Sequence, residues 1–292
     1  MNLSQLHQFF LVVEEGSVTR GAQRAAVSQP AISRAIADLE HALGTRLLDR
    51  YPKGVRPTEA GRLLADYGRR IFQLEREAIA ALNDLQGLDA GSIQIGASTT
   101  IGDYLLPKAV SSFLTQYPKV KISLEVSNTE MIQQGVLDGR YDIGFTEGRV
   151  DSDKFETSVL AEDQLLVIAP PEHPLANKAA SISDLAQYGF IMREHGSGTR
   201  RIVEEGFDRL GFNPTISCVM GSTKAVTHAV ATGLGLGVVS TLALESELRE
   251  KAVIELQTPF RFTRQLHIVR LAGSSQSAAV CRFMEVLRSR FQ

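Results

Sequence analysis

The chain has 292 residues, with 31 Lys and Arg against 33 Asp and Glu, and its formal net charge is -2. This length predicts about two or three domains, and the charge excludes a protein that is basic over its whole surface, so any nucleic-acid contact must come from a local patch. No apolar run spans a membrane, no secretory signal is evident, and Cys218 and Cys281 lack metal-ligand spacing. These features indicate a cytoplasmic protein with structural, buried thiols.

The N-terminal segment predicts two short helices. In the first, the apolar residues recur at helical spacing, and they are Leu6, Phe9, Phe10 and Val13. Gly16 ends this helix, and Ser17 can cap a second helix over SVTRGAQRAA.

A third helix begins within VSQPAISRAIADLE. Ser28 is a good N-cap, and Pro30 falls in the first turn, where its missing N–H has no partner. One face is apolar and comprises Ile32, Ala35, Ile36 and Leu39; the other comprises Gln29, Pro30, Ser33, Arg34 and Ala37. Short side chains let this second face approach a major groove, where Gln and Arg can bond to base edges. By spacing alone, a solvated face on an ordinary helical cluster explains the pattern equally well.

The following segment, LGTRLLDRYPKGVRPTEAG, predicts a short hairpin, or wing, that carries Arg46, Arg50, Lys53 and Arg56. Such a cluster of cations beside a helix-turn-helix can contact DNA phosphates, whereas alone it reads as a solvated loop. Together with the preceding helices it favours a winged helix-turn-helix DNA-binding domain over residues 1–58.

Residues 59–90 predict a long linker helix, capped by Thr58, and a hinge at QGLDAGS. Apolar residues recur there in steps of four and three, and they are Ala60, Leu64, Tyr67, Ile71, Leu74, Ala78, Ala81 and Leu85. This heptad seam needs a partner, and a second copy of the chain is the simplest one, so the pattern predicts a homodimer.

Residues 91–292 predict an α/β effector-binding domain, because strand patterns such as SIQIGAS and DQLLVIAPP alternate with helical ones. The alternation predicts a parallel sheet. The repetition of the pattern predicts two lobes with a cleft between them: lobe I over 91–162 and 266–292, and lobe II over 163–265.

The run from Phe9 to Gly61, FFLVVEEGSVTRGAQRAAVSQPAISRAIADLEHALGTRLLDR with VRPTEAG, resembles the LysR-type transcriptional regulators. The resemblance extends over the whole chain and implies a periplasmic-binding-protein-like effector domain. It implies that Gln29, Pro30, Ser33 and Arg34 approach bases and that Arg50 and Arg56 approach the DNA backbone or the minor groove. It also implies a homotetramer on promoter DNA, and a contact with RNA polymerase if the protein is an activator.

Two details refine this resemblance. ASTTIGDYLLP and REHGSGTR are similar to the branch that includes carbon-fixation and sulfur-assimilation regulators. Gly21 and Ala25 replace the usual Ala and Leu of the second helix, and Gly21 is expected to soften that helix, because glycine weakens a helix by about 1 kcal/mol relative to Ala.

The predicted cleft is rich in hydroxyl groups at helix starts, where free N–H groups favour anions. The hydroxyl residues are Ser98, Thr99, Thr100, Ser197, Thr199 and Thr223, and Gly198 adds a backbone N–H. Thr146 stands at the end of a strand, and Arg193 and Arg200 are the charge partners. The pattern predicts a small anionic effector and no other cofactor, although each hydroxyl alone reads as an ordinary N-cap. The negative charge of Glu147 would repel an anionic effector, unless its side chain points away, pairs with Arg193 or binds an amine of the ligand.

Two other functions fit a two-lobed fold. A solute-binding protein of a transporter is disfavoured by the DNA-binding unit. An enzyme is disfavoured because no catalytic dyad, nucleophile elbow or metal spacing is visible, and GLGLG stands in the wrong order for a dinucleotide loop.

Overall fold

The computed structural model describes residues 1–52, 54–85, 91–150, 153–274 and 276–289. The chain forms two compact units: residues 1–82 with 138–140, and residues 83–137 with 141–292. Within the described ranges, no helix has both the length and the apolar character needed to cross a membrane.

The first unit is a winged helix-turn-helix followed by a long helix. Its elements are α1 (Leu3–Glu15), α2 (Val18–Arg24), α3 (Gln29–Leu43), β1 (Leu48–Tyr51), β2 (Gly54–Pro57) and α4 (Glu59–Leu85). Gly16 ends α1 with φ 57°, and the hydroxyls of Ser17 and Ser28 accept the N–H groups of Arg20 and Ala31 at 3.4 and 3.3 Å. The capping predictions for these three helices are therefore confirmed.

The core of this unit is built from the predicted apolar faces, and Leu6, Phe9, Ile32 and Leu39 are fully buried in it. Gly21 has a packing role that the sequence did not indicate. A Cβ at this position would lie 2.5 Å from Val12 Cγ2 and 2.9 Å from Val12 Cα. The glycine therefore lets α2 pack closely on α1, and its effect on helix propensity is secondary.

Some residues of the predicted α4 seam pack inside the first unit, and others are exposed to solvent. Ala60, Leu64 and Ile71 pack against the core of the same unit. Tyr67 and Leu74 are 55% and 63% exposed, and three further apolar side chains share this exposure, namely Leu63, Ile79 and Leu82. The side chains of Ala81 and Leu85 lie outside the described residues.

The second unit is built on a nine-stranded sheet. Its strands are β3 (Gly91–Ser98), β4 (Val120–Ser127), β5 (Ile143–Glu147), β6 (Phe155–Ala169), β7 (Phe190–Arg193), β8 (Ile216–Met220), β9 (Leu236–Ser240), β10 (Ile254–Glu255) and β11 (Phe262–Leu271). Its helices are α5 (Thr99–Tyr104), α6 (Leu106–Gln116), α7 (Thr129–Leu137), α8 (Ile182–Leu185), α9 (Gly198–Arg209), α10 (Thr223–Ala231), α11 (Glu245–Arg249) and α12 (Ala278–Arg288), with a short 3₁₀ turn at Thr241–Ala243.

The sheet is mixed. The predicted parallel pairing is confirmed within each half, for β3 with β4 and β5 and for β7 with β8 and β9, but it is wrong for β6 and β11. Its order is β4-β3-β5-β11-β6-β9-β7-β8, with β10 beside β6. The strands at each end are parallel, but β6 and β11 are antiparallel to each other and to their neighbours. These two strands, here named the crossing strands, carry the chain between the two halves of the sheet in opposite directions, which forces the antiparallel pairing.

Each half of the sheet has its own core, so two lobes are joined by the crossing strands. Phe113, Phe145 and Phe283 lie in the core of the first lobe. Phe190, Phe207 and Phe260 lie in that of the second. The chain forms two helices here, α5 and α6, and Leu105 separates them: it is the C-cap of α5 and the N-cap of α6, whose first turn holds Pro107.

Candidate functional site

The predicted base-reading residues lie on the free face of α3. Gln29, Pro30 and Arg34 are exposed, and Ser33 is half-buried. Gln29 Oε1 is 3.4 Å from the hydroxyl of Thr19 on α2, which donates to it. The face combines short side chains with an amide, a hydroxyl and a guanidinium, the donor set that reads base edges.

The wing carries its arginines on opposite faces. Arg50 lies opposite Val55 in the β1–β2 ladder, and Arg56 lies opposite Asp49. Both arginines are exposed, and the Arg56 guanidinium lies 5.6 Å from the centre of the Tyr51 ring. Lys53, the third predicted phosphate contact, lies outside the described residues.

In the second unit, the predicted effector residues are buried except Arg200, which is half-buried. Two arginines bond to four of them, namely Thr99, Thr100, Thr199 and Thr223. The first group, named the Arg193 cluster, contains Thr99, Arg193, Glu194 and Thr223. Arg193 Nη1 donates to the hydroxyls of Thr99 and Thr223 at 3.0 and 2.9 Å. These threonines stand at the first turns of α5 in the first lobe and α10 in the second, so Arg193 ties the two lobes together.

The second group, named the Arg264 cluster, is centred on an arginine that the sequence reasoning missed. Arg264 Nη1 donates to Thr199 Oγ1 at 2.8 Å, and its Nη2 donates to Thr100 Oγ1 at 3.1 Å. Its Nε lies 2.7 Å from Asp163, and Glu147 is 3.3 Å from its Nη1. Glu147 therefore pairs with Arg264 and not with Arg193, whose carboxylate partner is Glu194.

A third feature is a row of polar side chains with open hydrogen-bonding capacity, named the polar row. Thr146 on β5 lies directly opposite His267 on β11, and Ser98 on β3 is its neighbour on the other side, since Ala97 lies opposite Phe145. Side chains of such neighbours point to one face of the sheet. Ser98 Oγ, Thr146 Oγ1 and His267 Nδ1 are buried, and none has a hydrogen-bond partner among the described residues.

The start of α9 closes one side of this region. Ser197 caps the helix by accepting the N–H of Arg200 at 3.4 Å, and the carbonyl of Gly196 accepts the N–H of Glu130 in the first lobe at 3.1 Å. A Cβ on Gly198 would lie 2.6 Å from the carbonyl oxygen of Glu147 and 2.7 Å from Thr129 Oγ1. Only a glycine lets the second lobe approach the first so closely here.

Burial shifts two titratable groups near these clusters. It raises the pKa of Asp103 on α5, against the lowering effect of the nearby Arg193 and Lys224 charges. It lowers the pKa of His267, which favours the neutral imidazole.

Several other sequence expectations can be placed. Arg200 bonds to Glu204 and to the carbonyl of Arg193 and does not join either cluster.

Cys281 is exposed and Cys218 is half-buried, so the expectation of buried thiols was wrong. A cavity of about 1040 Å³ lies beside β6, and none of the predicted effector residues is among those that line it.

The missed residues share a cause. Arg264 and His267 lie on β11, in a segment that reads as an ordinary strand, and Thr129 reads as the first residue of a helix. The sequence held no distinct signal for Arg264, because the segment PFRFTRQLHIV also carries Arg261, Gln265 and His267 and the burial of Arg264 is seen only in the structure.

Known proteins match nearly the whole length of this chain. A family described as bacterial regulatory helix-turn-helix protein, lysR family, matches residues 3–62, and one described as LysR substrate binding domain matches residues 86–292. The HTH-type transcriptional regulator YeiE of Escherichia coli is 37% identical over 288 residues, which are 98% of this chain and 96% of that protein. The RuBisCO operon transcriptional regulator of Allochromatium vinosum is 35% identical over 291 residues, 99% of this chain and 96% of that protein.

A solved structure resembles the second unit. The regulatory domain of CcmR from Synechocystis PCC6803, in complex with 2-PG, has a TM-score of 0.65 and 29% identity, and the match covers 69% of this chain and 97% of that one.

Proposed function

The chain belongs to the LysR family of transcriptional regulators, and on this premise we propose that its effector is a small anion bound between the two lobes. As a member of this family, the protein is a DNA-binding regulator with an effector-binding domain and not an enzyme. The carbon-fixation resemblance is confirmed by the RuBisCO operon regulator among its relatives. The observation that carries the proposal is that Arg193 and Arg264, both buried, each donate to hydroxyls of both lobes.

The effector is proposed to contact both clusters and the polar row. Ser98 and Thr146 offer buried hydroxyls with open bonding capacity, and Arg193 supplies the charge. The remaining proposed contacts are Thr99, Thr100, Ser197, Gly198, Thr199 and Thr223. Because each of these arginines bonds to both lobes, a ligand that binds them acts on both lobes at once, which couples binding to conformation. The 2-PG bound to the CcmR regulatory domain supports a small effector in this domain.

On the DNA side, Gln29, Pro30, Ser33 and Arg34 are proposed to face bases in the major groove, and Arg50, Lys53 and Arg56 to contact phosphates. The exposed apolar residues of α4 are proposed to pair with those of a second copy, and two such dimers form the tetramer. The protein acts in the cytoplasm, where promoter DNA is found, and contacts RNA polymerase if it is an activator.

The effector proposal is tested by thermal unfolding of the full chain with sulfate, sulfite, thiosulfate, phosphate, nitrate, O-acetylserine, phosphoglycolate and NADPH. A ligand at 100 times its Kd stabilises the folded state by about 2.7 kcal/mol. Thr146→Val is the sharpest variant, because it removes a hydroxyl that bonds to no described residue. It should abolish the shift while leaving the unliganded stability nearly unchanged.

Thr115→Ala, on the exposed surface of α6, serves as the control and should respond like the wild type. If none of the anions shifts the unfolding of the wild type, the anion proposal fails. If Thr146→Val responds as fully as Thr115→Ala, the proposed location fails.

A further inference from the structure

Three carboxylates pair with the two buried guanidinium groups, and one of them differs from the others. The side chains of Asp163 and Glu147 are 0% and 2% exposed, whereas that of Glu194 is 24% exposed. Glu194 binds Arg193 through two parallel contacts, from Nε to Oε2 at 2.7 Å and from Nη2 to Oε1 at 2.8 Å. Among these three, Glu194 is the carboxylate that can leave its arginine for solvent.

This pairing opposes the binding of an anion. The fork of Arg193 is the geometry that recognises a carboxylate, sulfate or phosphate group through two oxygens. Here that fork is filled by the protein's own carboxylate, and its remaining Nη1 donates to Thr99 and Thr223. The buried ion pairs comprise two guanidinium groups and three carboxylates, so an arriving anion also meets a net negative charge.

We propose that Glu194 is an internal competitor of the effector, whose carboxylate occupies the Arg193 fork until an oxyanion group of the effector displaces it into solvent. This proposal rests on the anionic effector proposed above. The occupant that it names is a ligand group with at least two oxygens able to engage one guanidinium, such as a carboxylate, sulfate or phosphate.

The surroundings allow the displacement without a change in the fold. The N–H of Glu194 donates to the carbonyl of Met220 at 3.1 Å, and its own carbonyl accepts the N–H of Ser197 at 3.3 Å. These bonds fix the backbone on both sides, so rotation of the side chain alone frees the fork. Arg193 stays in place, because its Nη1 remains bonded to both threonines.

The competitor sets the concentration at which the protein responds. Apparent affinity falls by the fraction of time for which the binding-competent state is available. If the carboxylate fills the fork for about nine-tenths of the time, the affinity for the oxyanion is lowered about tenfold. Removing the charge while keeping the shape of the side chain therefore tightens binding.

The test measures Kd by calorimetry for sulfate, phosphate and phosphoglycolate on the full chain and its Glu194→Gln variant. We expect Glu194→Gln to bind the active oxyanion at least about tenfold more tightly than the wild type. Glu245→Gln is the matched control: it also removes one carboxylate from a guanidinium, that of Arg249, but on the open surface, where Glu245 is 80% exposed. Its Kd should equal that of the wild type.

Glu194→Asp is a second variant, which keeps the charge but shortens the side chain by one methylene. Its Kd should lie between that of the wild type and that of Glu194→Gln. If the wild type binds an oxyanion and Glu194→Gln binds it equally or less tightly, the competitor role is overturned while the anionic effector stands. If neither protein binds any of these three oxyanions, the competitor role is overturned, and the thermal-unfolding test decides whether the anionic effector stands.

Discussion

Arg264 Nε lies 2.7 Å from Asp163 Oδ2, and both side chains are fully shielded from solvent. The two residues face each other across the crossing strands β11 and β6. The same guanidinium reaches Thr100 in the first lobe and Thr199 in the second. One ion pair therefore fixes the crossing strands and also orients the donors that meet both lobes.

Replacing Arg264 by Met is expected to lower the free energy of unfolding by about 3–5 kcal/mol, because it leaves the buried Asp163 and Glu147 carboxylates without their cation. Urea unfolding of the full chain measures the loss. Arg270→Met is the control on the same strand pair, where Arg270 faces the half-exposed Glu156 at 3.0 Å. Its loss should stay below about 1 kcal/mol. Similar losses for the two variants would contradict the structural importance assigned to the buried pair.

Substitutions on α3 and in the wing should affect DNA binding differently, the first through sequence specificity and the second through salt dependence. Ser33→Ala and Arg34→Ala should weaken binding to the operator more than to scrambled DNA, since a base contact is worth about 1–3 kcal/mol. Arg50→Ala should weaken both and reduce the slope of log K against log salt by about one unit. Fluorescence anisotropy at several salt concentrations gives both quantities, with Arg249→Ala as a charge-matched control. Equal loss on both DNAs for Ser33→Ala would remove it from the base-reading set.

Gly21→Ala is expected to destabilise the first unit although alanine favours helices by about 1 kcal/mol. The new methyl would meet Val12 Cγ2 at 2.5 Å, and such overpacking costs about 1–3 kcal/mol. Gly68→Ala on α4 is the control, because its nearest neighbour would be Leu6 Cδ1 at an ordinary 3.5 Å, so it should stabilise. Thermal unfolding compares them, and a stabilised Gly21→Ala would show that α1 and α2 separate at little expense.

The exposed residues of α4 predict self-association. Leu74 is 63% exposed, and Leu74→Glu should shift the protein toward a monomer, because it places a charge in the proposed apolar seam. Sedimentation equilibrium measures the dissociation constant. Leu210→Glu, at a site 45% exposed in the second unit, should leave it unchanged. An unchanged dissociation constant for Leu74→Glu would contradict the α4 interface.

His267 should make stability depend on pH. Burial lowers its pKa below the ordinary 6.5, so the unfolded chain takes up the proton first as the pH falls. Its contribution is complete above about pH 6.5 and is lost as the pH falls toward the folded-state pKa. Urea unfolding between pH 7.5 and 5.5 should therefore show a smaller decline for His267→Asn than for the wild type. His173, whose pKa burial also lowers, stays in both proteins. If the free energy of unfolding declines equally in both proteins, His267 does not cause this pH dependence.

Local chemistry was predictable from the sequence, and long-range geometry was not. Ser17, Ser28 and Gly16 act within a few residues of their positions, so their capping roles followed from sequence alone. Arg264 reaches partners 101 and 164 residues away, and no local pattern encodes such a contact. The antiparallel crossing strands were missed for a related reason, since strand direction depends on where the chain re-enters the sheet.

The predicted effector residues show the same division. Their positions at helix starts and strand ends could be read from hydroxyl-rich segments. The carboxylate partner of each arginine could not be read in this way. Glu147 meets Arg264 only when two distant strands pair, and nothing local shows that Arg193 pairs with its neighbour Glu194.

The crossing strands also determine what kind of motion an effector can drive. β6 and β11 are 15 and 10 residues long, and their ladder runs from Phe155 opposite Leu271 to Leu165 opposite Phe262. If two irregular loops joined the lobes, the lobes could undergo a large hinge-bending motion. The hydrogen bonds of this antiparallel pair resist bending of the two strands, whereas the pair can still twist about its long axis. We therefore expect an effector to rotate one lobe about the axis of these strands, with little change in the separation of the lobes.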